Sequence, residues 1–195
     1  MIEYVHGALT ALEPTRAVVE CNGIGYSLEI TLTSYDRLQR ATTAEEPQPT
    51  VKLLAHEVIR EDEHLLYGFC DEAERAMFRL LIGVNGVGVA TARVMLSSMT
   101  VDELRDAIAA QDVRMIQRVK GIGAKTAQRI ALELQDKVGG VSASSPVDSG
   151  SRAREEALTA LTTLGFPRPA ASKVLQGLAP TLSVEEMIKE ALKAL

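Results

Sequence analysis

Alternating apolar and polar residues dominate the first third of the chain. The stretch AVVECNGIGYSLEI, residues 17–30, alternates on both sides of Asn22 and Gly23, a dipeptide typical of a tight hairpin turn. Residues 50–59, TVKLLAHEVI, and 64–69, HLLYGF, look like further strands, and the short acidic turn REDE separates them. The pattern predicts about five short strands over residues 1–70, which suits an OB-type barrel and leaves an SH3-like barrel open as the alternative.

Beyond residue 70 the apolar period changes to that of amphipathic helices. Thr100 and Glu103 are spaced as a capping box for a helix that runs through about Ala110. Apolar residues recur at helical spacing in two groups: Met77, Leu80, Leu81 and Val84, and then Ala127, Ile130, Ala131, Leu134 and Val138. Residues 71–138 are therefore predicted to form an all-helical domain.

The end of the chain contains a change of composition followed by a third pattern. Residues 139–151, GGVSASSPVDSGS, are rich in glycine and serine and predict a flexible linker. Residues 152–195 contain three short helical patterns, and Ser183 and Glu186 are spaced as a capping box for the last one. The predicted fold class is thus a multidomain α+β protein that ends in a small three-helix bundle.

Charge is unevenly distributed along the 195 residues. The net charge of −5 argues against a nucleic-acid binder that relies on positive charge alone. Residues 1–70 carry a net charge of −6, whereas residues 71–137 carry +1. Within the helical domain, residues 117–130 contain no acid and four cations, which are Arg118, Lys120, Lys125 and Arg129.

The segment KGIGAKTAQRI, residues 120–130, lies in this basic region and superficially resembles a nucleotide-binding loop. A P-loop requires glycines at the positions of Val119 and Ala124, after a buried strand, and this chain has neither feature. A dinucleotide fingerprint fails as well, because the third glycine and the flanking βαβ unit are missing. The segment is therefore expected to hold a different kind of phosphate.

An internal repeat explains the segment better. VNGVGVATAR at 84–93 and VKGIGAKTAQ at 119–128 match at a constant offset of 35. The matched pairs are Gly86 and Gly121, Gly88 and Gly123, Thr91 and Thr126, and Ala92 and Ala127. The pattern is that of a helix–hairpin–helix, in which Val87 and Ile122 would anchor the turns. Free N–H groups at the start of each second helix would bind the phosphates of nucleic acid without reading its sequence.

Beyond these hairpins, the chain closely resembles the RuvA family of bacterial Holliday-junction-binding subunits along nearly all its length. The resemblance rests on NGIGY at 22–26, REDEHLLYGF at 60–69, NGVG at 85–88, KGIGAKTAQRIALEL at 120–134 and the tethered bundle containing LGF. It implies a tetramer that holds four DNA arms on one face, and it leaves a face-to-face octamer open. It also implies that Glu61 and Asp62 form an acidic pin that repels phosphates at the crossover.

The repeat and the resemblance together nominate a set of DNA-contacting residues. Arg60 is included because it directly precedes the acidic pin, and Lys125 and Arg129 would add salt-dependent attraction. The full set is Arg60, Asn85, Gly86, Val87, Gly88, Ala90, Lys120, Gly121, Ile122, Gly123, Lys125, Thr126 and Arg129. Members of the family often carry lysines where this chain has Ala90 and Ala124, and Arg93 is the candidate to compensate in the first hairpin.

The C-terminal bundle resembles a ubiquitin-associated-type fold, and a bundle of this size cannot bury all its apolar surface. The resemblance implies that it recruits a RuvB-type hexameric ATPase motor, with a RuvC-type junction resolvase as a further partner. The residues expected to contact the motor are Leu164, Gly165, Phe166 and Leu178.

Catalytic and metal-binding patterns are not evident in the sequence. The three histidines lack ligand spacing, so no metal or other cofactor is expected, and the chain is predicted to be a non-catalytic subunit. A helix–hairpin–helix nuclease or glycosylase and a protein adaptor remain the alternative functions. Two distant cysteines and a start that lacks the features of a signal peptide favour a cytoplasmic location without a membrane partner.

Overall fold

The structure is a computed structural model that describes residues 1–43, 47–140, 149–179 and 182–194. The chain divides into two compact units, Met1–Ala143 and Ser144–Leu195. The first unit contains a β-barrel and helices that pack against it, and the second contains three helices. Among the described residues, no helix is both long and apolar enough to cross a membrane.

A closed five-stranded barrel begins the first unit. Its strands are β1 Tyr4–Glu13, β2 Arg16–Cys21, β3 Ile24–Ile30, β4 Thr50–Ile59 and β5 His64–Phe69. They follow the order β1-β2-β3-β5-β4, and all pairs are antiparallel except β3 with β5. The barrel is of the OB type, so that prediction is confirmed and the SH3-like alternative is wrong.

The barrel forms where the sequence alternates because every second side chain faces its interior. Val19 and Leu28 are fully buried, whereas Glu20 is exposed. Asn22 and Gly23 connect β2 to β3 with φ angles of 51° and 82°. Two successive positive φ angles produce a type I′ turn, which matches the twist of the paired strands.

One helix of the barrel region was absent from the sequence-based prediction. Helix α1, Leu32–Ala41, connects β3 to the segment that precedes β4. Thr31 caps it, because its hydroxyl accepts a hydrogen bond from the Ser34 N–H at 3.0 Å. The buried positions of the helix are Ser34 and Leu38. The periodic apolar signal is weak because one of the two is polar.

Five helices follow the barrel, in the region where the change of period predicted an all-helical domain. They are α2 Glu72–Ile82, α3 Val89–Ser98, α4 Val101–Ala109, α5 Val113–Gln117 and α6 Ala124–Leu134. Val138–Gly140 form a short 3-10 turn after α6. The predicted capping box is confirmed, because the Glu103 N–H donates to Thr100 Oγ1 and the Glu103 carboxylate accepts from the Thr100 N–H.

Helix α2 joins the helical part to the barrel through an aromatic contact. The Phe78 ring centroid lies 5.3 Å from that of Tyr67 and 4.9 Å from that of Phe69. All three residues are buried, and they belong to the core that continues into helices α3 to α6. Strand β5 therefore contributes Tyr67 and Phe69 to the core of the helices, whereas the barrel interior, which includes Val19 and Leu28, forms a core of its own.

Polar contacts of α2 also attach the helical part to the barrel. The buried Glu74 carboxylate accepts hydrogen bonds from the hydroxyls of Thr31 and Ser34, the latter at 2.8 Å. Burial raises the pKa of this carboxyl above its ordinary value. The guanidinium of Arg75, also buried, donates to the carbonyl of Glu3 at 2.9 Å. These contacts hold the helical part in a defined orientation on the barrel.

The second unit is a three-helix bundle, as predicted. Its helices are α7 Ser149–Thr163, α8 Arg168–Gln176 and α9 Val184–Ala194. Ser183 and Glu186 form the expected capping contacts at the start of α9. The buried core consists of Ala157, Leu158, Leu161, Ala171, Leu175, Met187 and Ala191. Most of the predicted linker over 139–151 lies outside the described residues, which resume at Ser149 with the start of α7.

Candidate nucleic-acid interface

The first hairpin connects α2 to α3 through residues 83–88. Gly86 has a φ of +92°, a conformation that glycine adopts without strain. The Val87 N–H donates to the Val84 carbonyl at 3.0 Å, which closes the turn. The first hydrogen bond of α3 runs from the Ala92 N–H to the Gly88 carbonyl at 2.9 Å. The N–H groups of residues 89–91 precede that bond and have no carbonyl partner in the helix.

The second hairpin reproduces the first at the offset of 35 residues. Gly121 also has a φ of +92°, and the Ile122 N–H donates to the Val119 carbonyl at 3.2 Å. Helix α6 begins with a bond from the Ala127 N–H to the Gly123 carbonyl at 3.0 Å. The repeat in the sequence is thus a repeat of backbone conformation and of hydrogen bonding. The N–H groups of residues 124–126 are left as free as those of 89–91.

The caps of these two helices differ from all others in the first unit. Side chains cap α1, α2, α4 and α5, and the capping residues are Thr31, Asp71, Thr100 and Asp112. Gly88 and Gly123 occupy the cap positions of α3 and α6, and neither helix has a side-chain capping bond. Among the described helices of this unit, only the two hairpin helices therefore present uncapped N–H groups, which suit an anion.

Space around the glycines also permits a close approach. A Cβ atom placed on Gly88 or Gly123 would meet no heavy atom of the described chain within 4 Å. The residues between the glycines are buried instead: Val87 is 5% exposed and Ile122 is 7% exposed. These two side chains anchor the turns in the core, so only their backbone is available to a ligand. The glycines leave a backbone surface that another molecule can reach.

The cations around the hairpins fall into two groups. Lys120 and Lys125 are exposed, and neither forms an ion pair with any described residue. Arg129 is exposed as well, but its Nη1 donates to the carbonyl of Asn85 at 2.9 Å, in the loop of the first hairpin. The basic region of the sequence thus supplies two free ammonium groups beside the second hairpin.

Arg93 does not fill the place of the lysine that is missing from the first hairpin. Its guanidinium forms an ion pair with Glu29 on strand β3. Thr33 supports the same helix, because its hydroxyl donates to the Leu96 carbonyl at 2.9 Å. The expectation that Arg93 would compensate is corrected by this pairing, which directs its charge to the barrel. The sequence reasoning missed this contact, since Glu29 and Arg93 lie far apart in the chain.

The acidic turn lies between β4 and β5. The Arg60 N–H donates to the Glu63 carbonyl at 2.8 Å, and the Arg60 guanidinium lies 3.4 Å from the Glu63 carboxylate. Glu61 and Asp62 are exposed and form no ion pair with any described residue. Arg60 is thus partly neutralised by its own turn, and two uncompensated carboxylates remain at the tip.

A histidine stands at the base of this turn. His64 Nε2 lies 2.8 Å from Glu57 Oε1, and this hydrogen bond holds the pKa of the Glu57 carboxyl below its ordinary value. The pair connects the neighbouring strands β4 and β5 at the point where the turn leaves the barrel. No group of three or more metal-ligating side chains occurs among the described residues.

The residues nominated for motor contact lie at the ends of helices in the second unit. Leu164 directly follows α7 and is 62% exposed. Gly165 has a φ of +98° and lets the chain reverse before α8. Phe166 and Leu178 are half-buried and pack against the bundle core. Of the three apolar side chains in this set, Leu164 is the one fully available to a partner.

Comparisons with known proteins match the chain along its length. Residues 1–68 match the family model described as RuvA N terminal domain. Residues 78–136 match SAM-like Helix-hairpin-helix tandem, and residues 152–195 match RuvA, C-terminal domain. The three models occur in the order of the barrel, the paired hairpins and the bundle.

Similar full-length proteins carry the name "Holliday junction branch migration complex subunit RuvA". One from Christiangramia forsetii is 45% identical over 200 residues, and one from Bacteroides thetaiotaomicron is 42% identical over 208 residues. Both alignments cover all of this chain and all of the relative. A third, from Chlorobaculum tepidum, is 40% identical over 206 residues and is covered to 98%.

Proposed function

The chain belongs to the RuvA family, and from that premise we propose that it is a DNA-binding scaffold for branch migration. It recognises four-way (Holliday) junctions, holds them open and presents them to a RuvB-type hexameric ATPase motor in homologous recombination and DNA repair. The chain itself is non-catalytic in this proposal, and the motor hydrolyses ATP. Its action takes place in the cytoplasm.

The observation that carries the proposal is the pair of uncapped hairpin helices. Four other helices of the unit bind their own N-terminal N–H groups with Asp or Thr, whereas α3 and α6 begin at Gly88 and Gly123. A phosphate oxygen can accept the hydrogen bonds that a capping side chain would otherwise accept. Two such sites on neighbouring hairpins suit two phosphates of one DNA strand, and Lys120 and Lys125 add attraction at the second.

Phosphate binding by the hairpins does not by itself distinguish a junction from duplex DNA. We assign that distinction to Glu61 and Asp62, the exposed carboxylates of the acidic turn. Carboxylates repel phosphates that come close, so a continuous duplex across the turn would be disfavoured. At a crossover the strands diverge and can pass on either side of the turn. The arrangement requires several copies of the chain, and we propose a homotetramer or a face-to-face octamer of it.

The second unit is the proposed contact for the motor. Leu164 is exposed at the end of α7, and the other residues of the predicted contact set are Gly165, Phe166 and Leu178. An exposed leucine on a small bundle suits an apolar contact with a partner protein. A RuvC-type resolvase is a further partner of the assembled complex in this proposal.

A gel-shift titration tests the proposal directly. The pure protein is titrated against an immobile four-way junction and against linear duplex of equal length, at physiological salt with competitor DNA. The same titrations are run with Gly88→Asp/Gly123→Asp, which places a carboxylate at each hairpin. Gly139→Asp is the matched control, because Gly139 is exposed and a Cβ there meets no described atom within 4 Å.

A strong preference for the junction, lost in the double variant and kept in the control, is the expected result. Equal weak binding of both DNAs by the wild-type protein would contradict junction recognition. Unchanged binding by the folded double variant would favour a protein adaptor whose hairpins only pack helices. Cleavage of the junction by the pure chain would favour a nuclease.

A further inference from the structure

Helix α6 reaches back to the loop of the first hairpin. Arg129 Nη1 donates to the Asn85 carbonyl at 2.9 Å, although the two residues are 44 positions apart. A Cβ atom on the neighbouring Gly86 would lie 3.9 Å from Thr126 Oγ1, also on α6. Two successive residues of the first loop therefore lie against two residues that are one turn apart on the helix of the second hairpin.

Helix α6 contacts the loop of the first hairpin, but α3 does not make the equivalent contact with the loop of the second. The offset of 35 that relates the hairpins places Val94 at the position equivalent to Arg129, and Val94 is 41% exposed. A valine side chain cannot donate a hydrogen bond, so α3 offers the second loop no equivalent of the Arg129 contact. Arg93, the arginine of α3, is paired with Glu29 of the barrel. The second hairpin thus supports the first, and the first is otherwise held from the barrel side.

The contact also has an electrostatic consequence at the first loop. The Asn85 carbonyl belongs to an exposed residue directly before the turn at Gly86. A carbonyl oxygen carries partial negative charge and would repel a phosphate nearby. The guanidinium covers that oxygen with a charge-assisted hydrogen bond. Arg129 Nε lies 3.7 Å from Glu133 Oε1, one turn further on, which helps to orient the guanidinium toward the loop.

We propose that Arg129 is a positioning residue, which fixes the loop of the first hairpin for phosphate binding instead of serving chiefly as a phosphate contact. The first hairpin has Ala90 where it could carry a cation, so its binding depends on the geometry of its N–H groups. Arg129 maintains that geometry from the other hairpin. The expected effect of Arg129 on DNA binding rests on the proposed function, whereas its effect on amide exchange in the free protein does not.

Amide hydrogen exchange in the free protein is the first test. The variants are Arg129→Gln and, as the matched control, Lys125→Gln, which removes one exposed positive charge from the same helix. Loss of the Asn85 contact should accelerate exchange of the Val87 amide, which closes the first turn, on the order of 5-fold. The control should leave that amide unchanged. Unaltered exchange in Arg129→Gln would overturn the proposal without any reference to DNA.

A double-mutant cycle on junction binding is the second test, measured at low salt so that weakened variants still bind. In a Gly88→Asp background the first hairpin no longer receives phosphate, so Arg129→Gln should cause little further loss. Lys125→Gln should weaken binding in both backgrounds. Arg129→Gln should also leave the salt dependence of binding nearly unchanged, whereas losing a phosphate-contacting cation reduces the slope by about 1.

The outcomes separate this inference from the proposed function. Additive losses in the cycle, together with a reduced salt slope for Arg129→Gln, would show a direct phosphate contact and overturn the positioning role. A wild-type protein with no preference for the junction would defeat the proposed function, and the exchange of Val87 would still decide whether Arg129 holds the loop. Faster exchange with a non-additive cycle supports the proposal.

Discussion

Replacing the two capping glycines by aspartate should stabilise the protein and strongly weaken its binding of DNA. Gly88 has φ −84° and ψ 168°, and Gly123 has φ −81° and ψ 164°. This is the extended conformation that a capping residue adopts, and a side chain there meets no steric obstacle. The chain already contains the intended contact: Asp71, also in an extended conformation, accepts a hydrogen bond from the Glu74 N–H at 2.7 Å.

The gain in stability follows from helix capping. Aspartate in place of glycine at a helix N-cap contributes a few tenths of a kcal/mol, ~0.3 kcal/mol at each site. The carboxylate also interacts favourably with the positive end of the helix dipole. For two sites in a unit of this size, the melting temperature should rise by about 2 °C. Thermal unfolding followed by circular dichroism measures this rise, with Gly139→Asp as the control for added charge.

The loss of binding follows from the same contact. The new carboxylate occupies the N–H groups that the phosphate would use and adds a repulsive charge. A hydrogen-bonded contact to a charged group is worth about 1.5–3 kcal/mol, so each hairpin should lose about 10- to 150-fold in Kd for one contact. The proposed tetramer would repeat each hairpin and multiply the loss. Fluorescence anisotropy with a labelled four-way junction measures the change.

The two expected effects have opposite signs, so the melting temperature and the junction affinity test separate steps. A raised melting temperature with undiminished junction affinity would mean that the hairpin helices do not bind phosphate. A lowered melting temperature would mean that the caps are not open as the structure has them, and the loss of binding would then reflect local unfolding. Only increased stability with decreased binding agrees with the argument.

Three further predictions concern other parts of the chain. Burial raises the pKa of Glu74 above its ordinary value of 4.5, so the wild-type protein loses stability as pH rises through and above that value. Glu74→Gln cannot ionise, so its melting temperature minus that of wild type should increase from pH 4 to pH 7. A decrease would show that Thr31 and Ser34 favour the anion. Neutralising the acidic turn with Glu61→Gln/Asp62→Asn should strengthen binding to linear duplex more than binding to the junction. In parallel titrations, the affinity for the junction divided by the affinity for duplex should therefore fall. Leu161→Ala should lower the stability of the C-terminal bundle by about 2–5 kcal/mol and make that unit sensitive to proteolysis. Junction binding should persist, and stimulation of a RuvB-type motor should be lost. A variant that still stimulates the motor would contradict the role of the bundle.

The parts of the fold that the sequence predicted are those with a local signal. Strands β4 and β5 are short runs rich in apolar residues on either side of an acidic turn, and their predicted bounds agree with the structure. The five strands, the helical character beyond residue 70, the terminal bundle and the family are all confirmed. Helix α1 was missed because its interior position Ser34 is polar. That position is explained by residues far away in the chain: the Ser34 hydroxyl donates to Glu74 and accepts from the Cys70 N–H.

The sequence does contain a signal that Glu74 is buried. Glu74 lies on the same helical face as Met77, Phe78 and Leu81, all of which are buried. A carboxylate on an apolar stripe requires a buried polar partner, and this requirement predicts a contact without identifying it. The Arg129 contact has no such signal, because its acceptor is a backbone carbonyl that any residue could supply at position 85. Its geometry could be learned only from the folded chain.

The acidic composition of the chain is consistent with DNA binding once the kind of donor is considered. In the proposed function, backbone N–H groups at the N-terminal ends of α3 and α6 attract phosphate through partial charges, which do not enter the net charge of −5. The barrel can therefore carry a net charge of −6 over residues 1–70 and still leave the hairpins competent. Replacing lysines by N–H groups lowers the number of cations that contact phosphate, and that number sets the salt dependence of binding. In the proposed function, Glu61 and Asp62 can therefore repel DNA at the barrel turn although the chain has no compensating excess of lysine elsewhere.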